Sequence, residues 1–206
     1  MGWRPLWSLK RVYDWLAWSD PSGEADLIFV LAGRQGRKVY ALRAYSEGKA
    51  PRILLSTARF EIRRFANLPL PVPLDLLKTA SGVPPPLRHF FVYFEGAFCQ
   101  VDLIPIGRLG TLSEIEQLAN WLRVRPHITS VLIVSSGAHL RRVRMCCRAL
   151  LPPEVQLRLI AAPEEALPPG KQESDSGRGR KAEIFSELFK LLVYRGALAL
   201  RATGTR

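Results

Sequence analysis

Short apolar runs alternate with amphipathic stretches along most of the chain. Asp26–Leu31 (DLIFVL), Arg52–Ser56 (RILLS), Ser130–Val134 (SVLIV) and Gln156–Ala161 (QLRLIA) are brief, rich in branched residues and bounded by polar breaks. Such runs predict strands buried on both faces of a parallel sheet. Arg88–Phe94 and Cys99–Ile104 are also strand-like, separated by Glu95-Gly96-Ala97-Phe98. They read either as a hairpin or as one strand of the main sheet and one outside it. Between the runs, helical spacing predicts helices over about Arg37–Ser46, Ala58–Asn67, Thr111–Arg123, Leu140–Leu151 and Lys181–Leu200. Leu74–Thr79 predicts one or two turns between the proline clusters at 69–73 and 84–86.

Particular residues sharpen these elements. Val39 and Leu42, with Ala41 and Tyr45, are expected to face inward from the helix over 37–46, which Glu47-Gly48 ends. Thr111 and Glu114 have the spacing of a capping box. The last helix places Ile184, Phe185, Leu188, Leu191 and Leu192 on one expected apolar face. Strands alternating with helices imply one three-layer α/β/α domain of the Rossmann-like kind, with a mostly parallel, doubly wound sheet of about five strands. The domain is expected over 23–200. An amphipathic helix over 1–22 precedes it, ended by Asp20-Pro21-Ser22-Gly23, and a tail follows over 201–206. Residues 162–180 are polar and rich in Pro, Gly and Ser, and read as a connector or a lid.

Three strand-end loops carry the candidate chemistry. Ser135-Ser136-Gly137 follows the SVLIV strand and opens a helix holding His139 and Arg142 three residues apart, hence on one face. A small-residue loop feeding a helix start offers free backbone N–H groups and a positive dipole end. The bland alternative is a turn with His139 as a polar cap. Gly33-Arg34-Gln35-Gly36-Arg37-Lys38 follows the first strand. It is neither a Walker loop nor a dinucleotide fingerprint, and as a solvated basic turn it has an equally simple reading. Its glycines permit close approach, and Arg34, Arg37 and Lys38 supply charge. The third loop, Gly107–Glu114, contains the capping-box pair, so local sequence alone makes Glu114 structural. Ser135 and Ser136 lie outside a Gly-x-Ser-x-Gly context, and a hydrolase nucleophile elbow is not supported.

In order and spacing these segments resemble the YdcF/SanA/ElyC-like family of bacterial proteins. The resemblance rests on Leu31-Ala32-Gly33-Arg34, on Gly48–Ser56, on Gly110–Glu114 and on Val134–Arg142. It spans roughly residues 25–200 and implies a Rossmann-like fold with a role in envelope or peptidoglycan-precursor biology. The family's polar motif residues fall on Thr111, Glu114, Ser135, His139 and Arg142. Two departures stand out: Arg34 and Gln35 interrupt the first loop, and Ser56-Thr57-Ala58-Arg59 replaces the family's Ser-Gly-Gly.

The chain has 206 residues and a formal net charge of +12, which favours anionic partners. The expected function is binding of a phosphate-bearing or other anionic small molecule. Gly33, Arg34, Arg37, Ser56, Thr111, Ser135, Ser136 and Arg142 are the expected ligand contacts, with Glu114 or His139 as acid or base. An S-adenosylmethionine-like cofactor is an alternative without a definite ribose clamp. Nucleic acid, suggested by charge alone, has no recognition motif to support it. No cofactor is specified. The three cysteines include no Cys-x-x-Cys pair, and the three histidines lack metal-ligand spacing. This fits a reducing cytoplasm. Charges interrupt every apolar run short of a span, and the N-terminus lacks a signal-peptide core. Trp3, Trp7, Trp15 and Trp18, mixed with basic residues, leave two readings of the first helix: peripheral membrane contact or docking on its own domain.

Overall fold

The computed structural model describes residues 9–21, 23–163 and 177–204. A six-stranded sheet with order β4-β3-β2-β1-β5-β6 forms its centre. The strands are β1 (Leu27–Val30), β2 (Arg52–Ala58), β3 (His89–Glu95), β4 (Phe98–Leu103), β5 (Ser130–Ser135) and β6 (Gln156–Ala161). β1 pairs in parallel with β2 and β5, and β5 with β6. β3 is antiparallel to β2, and β4 closes a hairpin on β3. Both strand-like segments of the 88–104 region thus join the sheet, giving six strands rather than five.

Side-chain alternation divides the core. Leu27, Phe29 and Leu31 face one cluster, with Ile115, Leu118, Val143 and Cys146. Ile28 and Val30 face the other, with Ala41, Leu42, Phe65 and Phe94. The first cluster lies under α5 (Gly110–Arg123), α6 (Leu140–Leu150) and α7 (Gly177–Gly204). The second lies under α2 (Gln35–Ser46) and the short α3 (Ile62–Phe65) and α4 (Leu76–Ser81). α1 (Leu9–Leu16) packs on α6 and α7 and buries Leu16 completely. The chain leaves β1 towards β2 on one side, while β5 lies on the other. The carboxyl ends of β1 and β5 therefore flank the switch point where doubly wound sheets form a crevice.

Three expected elements differ. The helix over 58–67 contracts to one turn, because β2 continues to Ala58 in register with His89 and the Glu61 carboxylate accepts the Ala58 N–H at 2.9 Å. α7 turns Ile184, Glu187 and Tyr194 inward and leaves Phe185 and Leu192 exposed, so its inner face is rotated from the expected one. It also runs through residues 201–204, read from sequence as a tail. Most of the 162–180 segment lies outside the described residues, as do residues 1–8.

Candidate functional site

Four strand-end segments join in one hydrogen-bonded circuit at the carboxyl edge of the sheet. Ala32, just after β1, is its first junction. Its N–H donates to Glu114 Oε1 at 2.8 Å, and its carbonyl accepts from Arg37 Nη1 at 3.2 Å. Arg37 Nη2 reaches across to Ser136 Oγ at 2.9 Å, tying the loop after β1 to the loop after β5. Gly33 is required at this corner. Its φ is +136°, and a Cβ there would lie 3.2 Å from the Arg37 guanidinium.

Beyond Ser136 a single 3-10 turn, Gly137–His139, leads into α6. His139 Nδ1 and Glu187 Oε1 are 2.9 Å apart. Arg142 Nε donates to Glu187 Oε2 at 2.9 Å, and Arg142 Nη1 donates to Thr111 Oγ1. Thr111 returns the circuit to α5, three residues before Glu114. The capping box predicted for Thr111 and Glu114 is therefore absent. Leu109 occupies the cap position, without a side-chain cap bond, and Ser113 Oγ accepts the Gly107 N–H at 2.9 Å. Both box residues serve the circuit instead.

Glu114 is further held by Ser56, whose hydroxyl donates to Oε1, and by His89, whose Nε2 is 2.7 Å from Ser56 Oγ and 3.5 Å from Glu114 Oε1. Ser, His and Glu are close, yet this is not a nucleophile triad. The histidine does not bridge serine and carboxylate through its two nitrogens. Ser56 is fully buried, so it positions the carboxylate and is not a surface ligand contact. Among the described residues no hydrogen bond reaches Glu114 Oε2.

Charge is concentrated and largely buried. Burial pulls Arg37 down to about 10, against the charges of Glu114 and Glu61, and it remains protonated at neutral pH. No carboxylate lies within ion-pair distance of it among the described residues, and its Nε is buried without a partner. Burial also lowers Lys38, whose ammonium pairs with Glu61 in the interior. Burial lowers His139; the Glu187 hydrogen bond opposes this, while Arg37 and Arg142 reinforce it. Burial would raise Glu187, but hydrogen bonds from His139 and Arg142 bring it well below the carboxylate range.

A small pocket of about 30 Å³ opens beside Arg37, lined also by Arg34, Gly36, Ser136, Gly137 and Glu183. Arg34, expected from sequence to converge with His139 and Arg142, stands at this mouth. It is half-exposed, 3.8 Å from Glu183, and makes no hydrogen bond to either residue. Ser135 Oγ is fully buried with no partner. Glu187, His89 and Glu61 were not singled out by sequence, and Lys38, read there as a charge of the first loop, is instead buried against Glu61. Glu187 had a visible signal, an acid inside the apolar stripe of the last helix. Among the described residues no cluster of His, Cys, Asp and Glu could hold a metal ion. Comparison with protein-family models, curated proteins and solved structures finds no match to this chain.

Proposed function

We propose that the carboxyl edge of the sheet binds a phosphate-bearing small molecule, with Arg37 as its principal anchor. One observation carries this reading. Arg37 is a buried cation with an unpartnered Nε, no paired carboxylate, and a place on the wall of an open pocket. Glu114 and Glu61 offset the Arg37 charge only from beyond ion-pair distance, so its burial stays costly and an incoming anion would lower that cost. The start of α2 and the Ser136–Gly137 backbone flank the same pocket, and helix starts favour phosphate. At about 30 Å³ the pocket has room for no more than one anionic group, so the remainder of the ligand would lie outside. The likeness of the three loops to the YdcF-like family supports looking among envelope-precursor phosphates.

Two side chains of the adjoining circuit, outside the pocket lining itself, would supply acid–base chemistry to the part of the ligand beyond the pocket. Glu114 keeps Oε2 free of hydrogen bonds among the described residues. A neutral His139 that donates Nδ1–H to Glu187 leaves the Nε2 lone pair available as a base.

A thermal-shift series with inorganic phosphate, pyrophosphate, sugar phosphates and S-adenosylmethionine tests the reading. Phosphate-bearing compounds should raise the wild-type midpoint by mass action. Arg37→Gln should weaken binding roughly tenfold to a hundredfold, the loss of about 1.5–3 kcal/mol for a charge-assisted contact. Ser136→Ala, which retains the guanidinium, should weaken it less. A shift with S-adenosylmethionine alone, or unchanged phosphate affinity in a folded Arg37→Gln protein, would overturn the reading.

A further inference from the structure

The outer face of α7 is apolar, and among the described residues nothing covers it. Phe185, Phe189, Leu192 and Leu200 are 64–75% exposed, and Val193 and Gly196 lie among them. Their three- and four-residue spacing makes one continuous stripe. The inner face buries Ile184 and Tyr194 with Glu187 between them, so the outer stripe is a second apolar surface beyond the one packed on the domain. Several large side chains exposed in one stripe mark an interaction surface rather than scattered surface hydrophobics.

Charge identifies the occupant. The 28 residues of α7 contain two acids, Glu183 and Glu187. Both are committed towards the domain, to Arg34 and to the His139–Arg142 pair. Lys181 and Arg195 are exposed on the flank of the stripe. No acid of α7 is left to answer them. A second copy meeting this face through a two-fold axis would bring the same cations against each other. Anionic lipid headgroups would pair with them while the stripe enters the headgroup boundary. No described helix is long and apolar enough to cross a membrane, so the fitting geometry is a helix lying in the interface plane.

We infer that α7 docks the protein on an anionic lipid surface through the Phe185–Leu200 stripe. This stands apart from the anion pocket and does not depend on it. The test is sedimentation of the full chain with vesicles of phosphatidylglycerol and phosphatidylcholine in roughly equal parts, and with phosphatidylcholine alone. The wild type should bind the mixed vesicles, bind the neutral ones far less, and lose affinity as salt rises. Phe185→Ser, Phe189→Ser and Leu192→Ser together should lower partitioning on the order of a hundredfold, since apolar area drives insertion. The thermal midpoint should stay put, because these side chains face outward. Failure of the wild type to bind the mixed vesicles would overturn the inference, as would equal binding by the triple variant. Loss of binding in Trp15→Ser with Trp18→Ser, but not in the triple variant, would move the docking element to α1. A dimer in light scattering that the triple variant converts to monomer, without vesicle binding, would identify a second copy as the occupant.

Discussion

Glu187 takes the contacts that an external anion would otherwise make with His139 and Arg142. Its carboxylate is 1% exposed and lies 2.9 Å from both partners. His139 and Arg142 were legible in the sequence because they follow a small loop at a strand end. Their pairing with Glu187 was not, because that acid lies 45 residues after Arg142 and on a helix whose rotation only packing decides. The pH dependence of stability should report this cluster. Both groups have lowered values in the fold, so the unfolded chain takes up protons first and stability falls as pH falls. The His139 loss begins below the ordinary histidine value of about 6.5, and the Glu187 loss below the ordinary glutamate value of about 4.3. Chemical denaturation should therefore show a plateau above neutrality and two descending limbs. Glu187→Gln should cost about 3–5 kcal/mol at neutral pH, by leaving the Arg142 charge buried without its counter-ion, and should flatten the lower limb. A stability that rises on acidification would contradict this account.

Elements were more legible than their exact faces. All six strands coincide with segments read as strands. β1, β2, β3 and β5 are apolar runs selected by burial, while the edge strand β4 (FCQVDL) alternates polar residues and buries none of its side chains fully. The helix over 58–67 was over-read because Phe60, Ile62 and Phe65 have helical spacing, while ladder pairing of β2 with β3 claims the residues as far as Ala58. Arg37 and Lys38 were read as charges of a basic loop running into a helix from about Arg37; α2 already holds both, and both are buried. Sequence cannot reveal a buried cation before its partners are placed. α1 is docked partly by a close approach at one position. A Cβ on Gly137 would meet Tyr13 Oη at 2.8 Å and Ala17 Cβ at 3.1 Å. Gly137→Ala should therefore force α1 outward and cost about 1–3 kcal/mol, as overpacking usually does. Amide exchange across Leu9–Leu16 should accelerate in that variant. Unchanged protection there would mean that α1 does not rely on this contact.

At the scale of the molecule, alternation of strands and helices makes the three layers readable, but not the strand order. The passage between β2 and β3 carries only the short helices α3 and α4 and a run of prolines, with no long crossover helix. The chain accordingly returns beside β2 in the antiparallel sense and extends the sheet with a hairpin. That leaves the β1–β5 boundary as the switch point and gathers the basic loops there. The same gathering bears on overall stability. A net charge of +12 sets like charges against one another throughout the fold. Exposed ion pairs such as Arg43–Glu47 and Arg201–Glu116 contribute little and weaken with salt. Long-range repulsion is screened by the same salt, and it acts on every cation rather than on a few pairs. Repulsion should therefore win. Raising sodium chloride from about 20 to about 200 mM, which shortens the screening length to below ~10 Å, should raise the melting midpoint. A gain of roughly 1 kcal/mol would appear as about 2–4 °C in a chain of this size. The increase should persist in Arg37→Gln, because screening is distributed, whereas a further increase from phosphate at equal ionic strength should not. A midpoint that falls with chloride would show that local ion pairs, such as the buried Lys38–Glu61 and Arg142–Glu187 contacts, outweigh the repulsion of the whole.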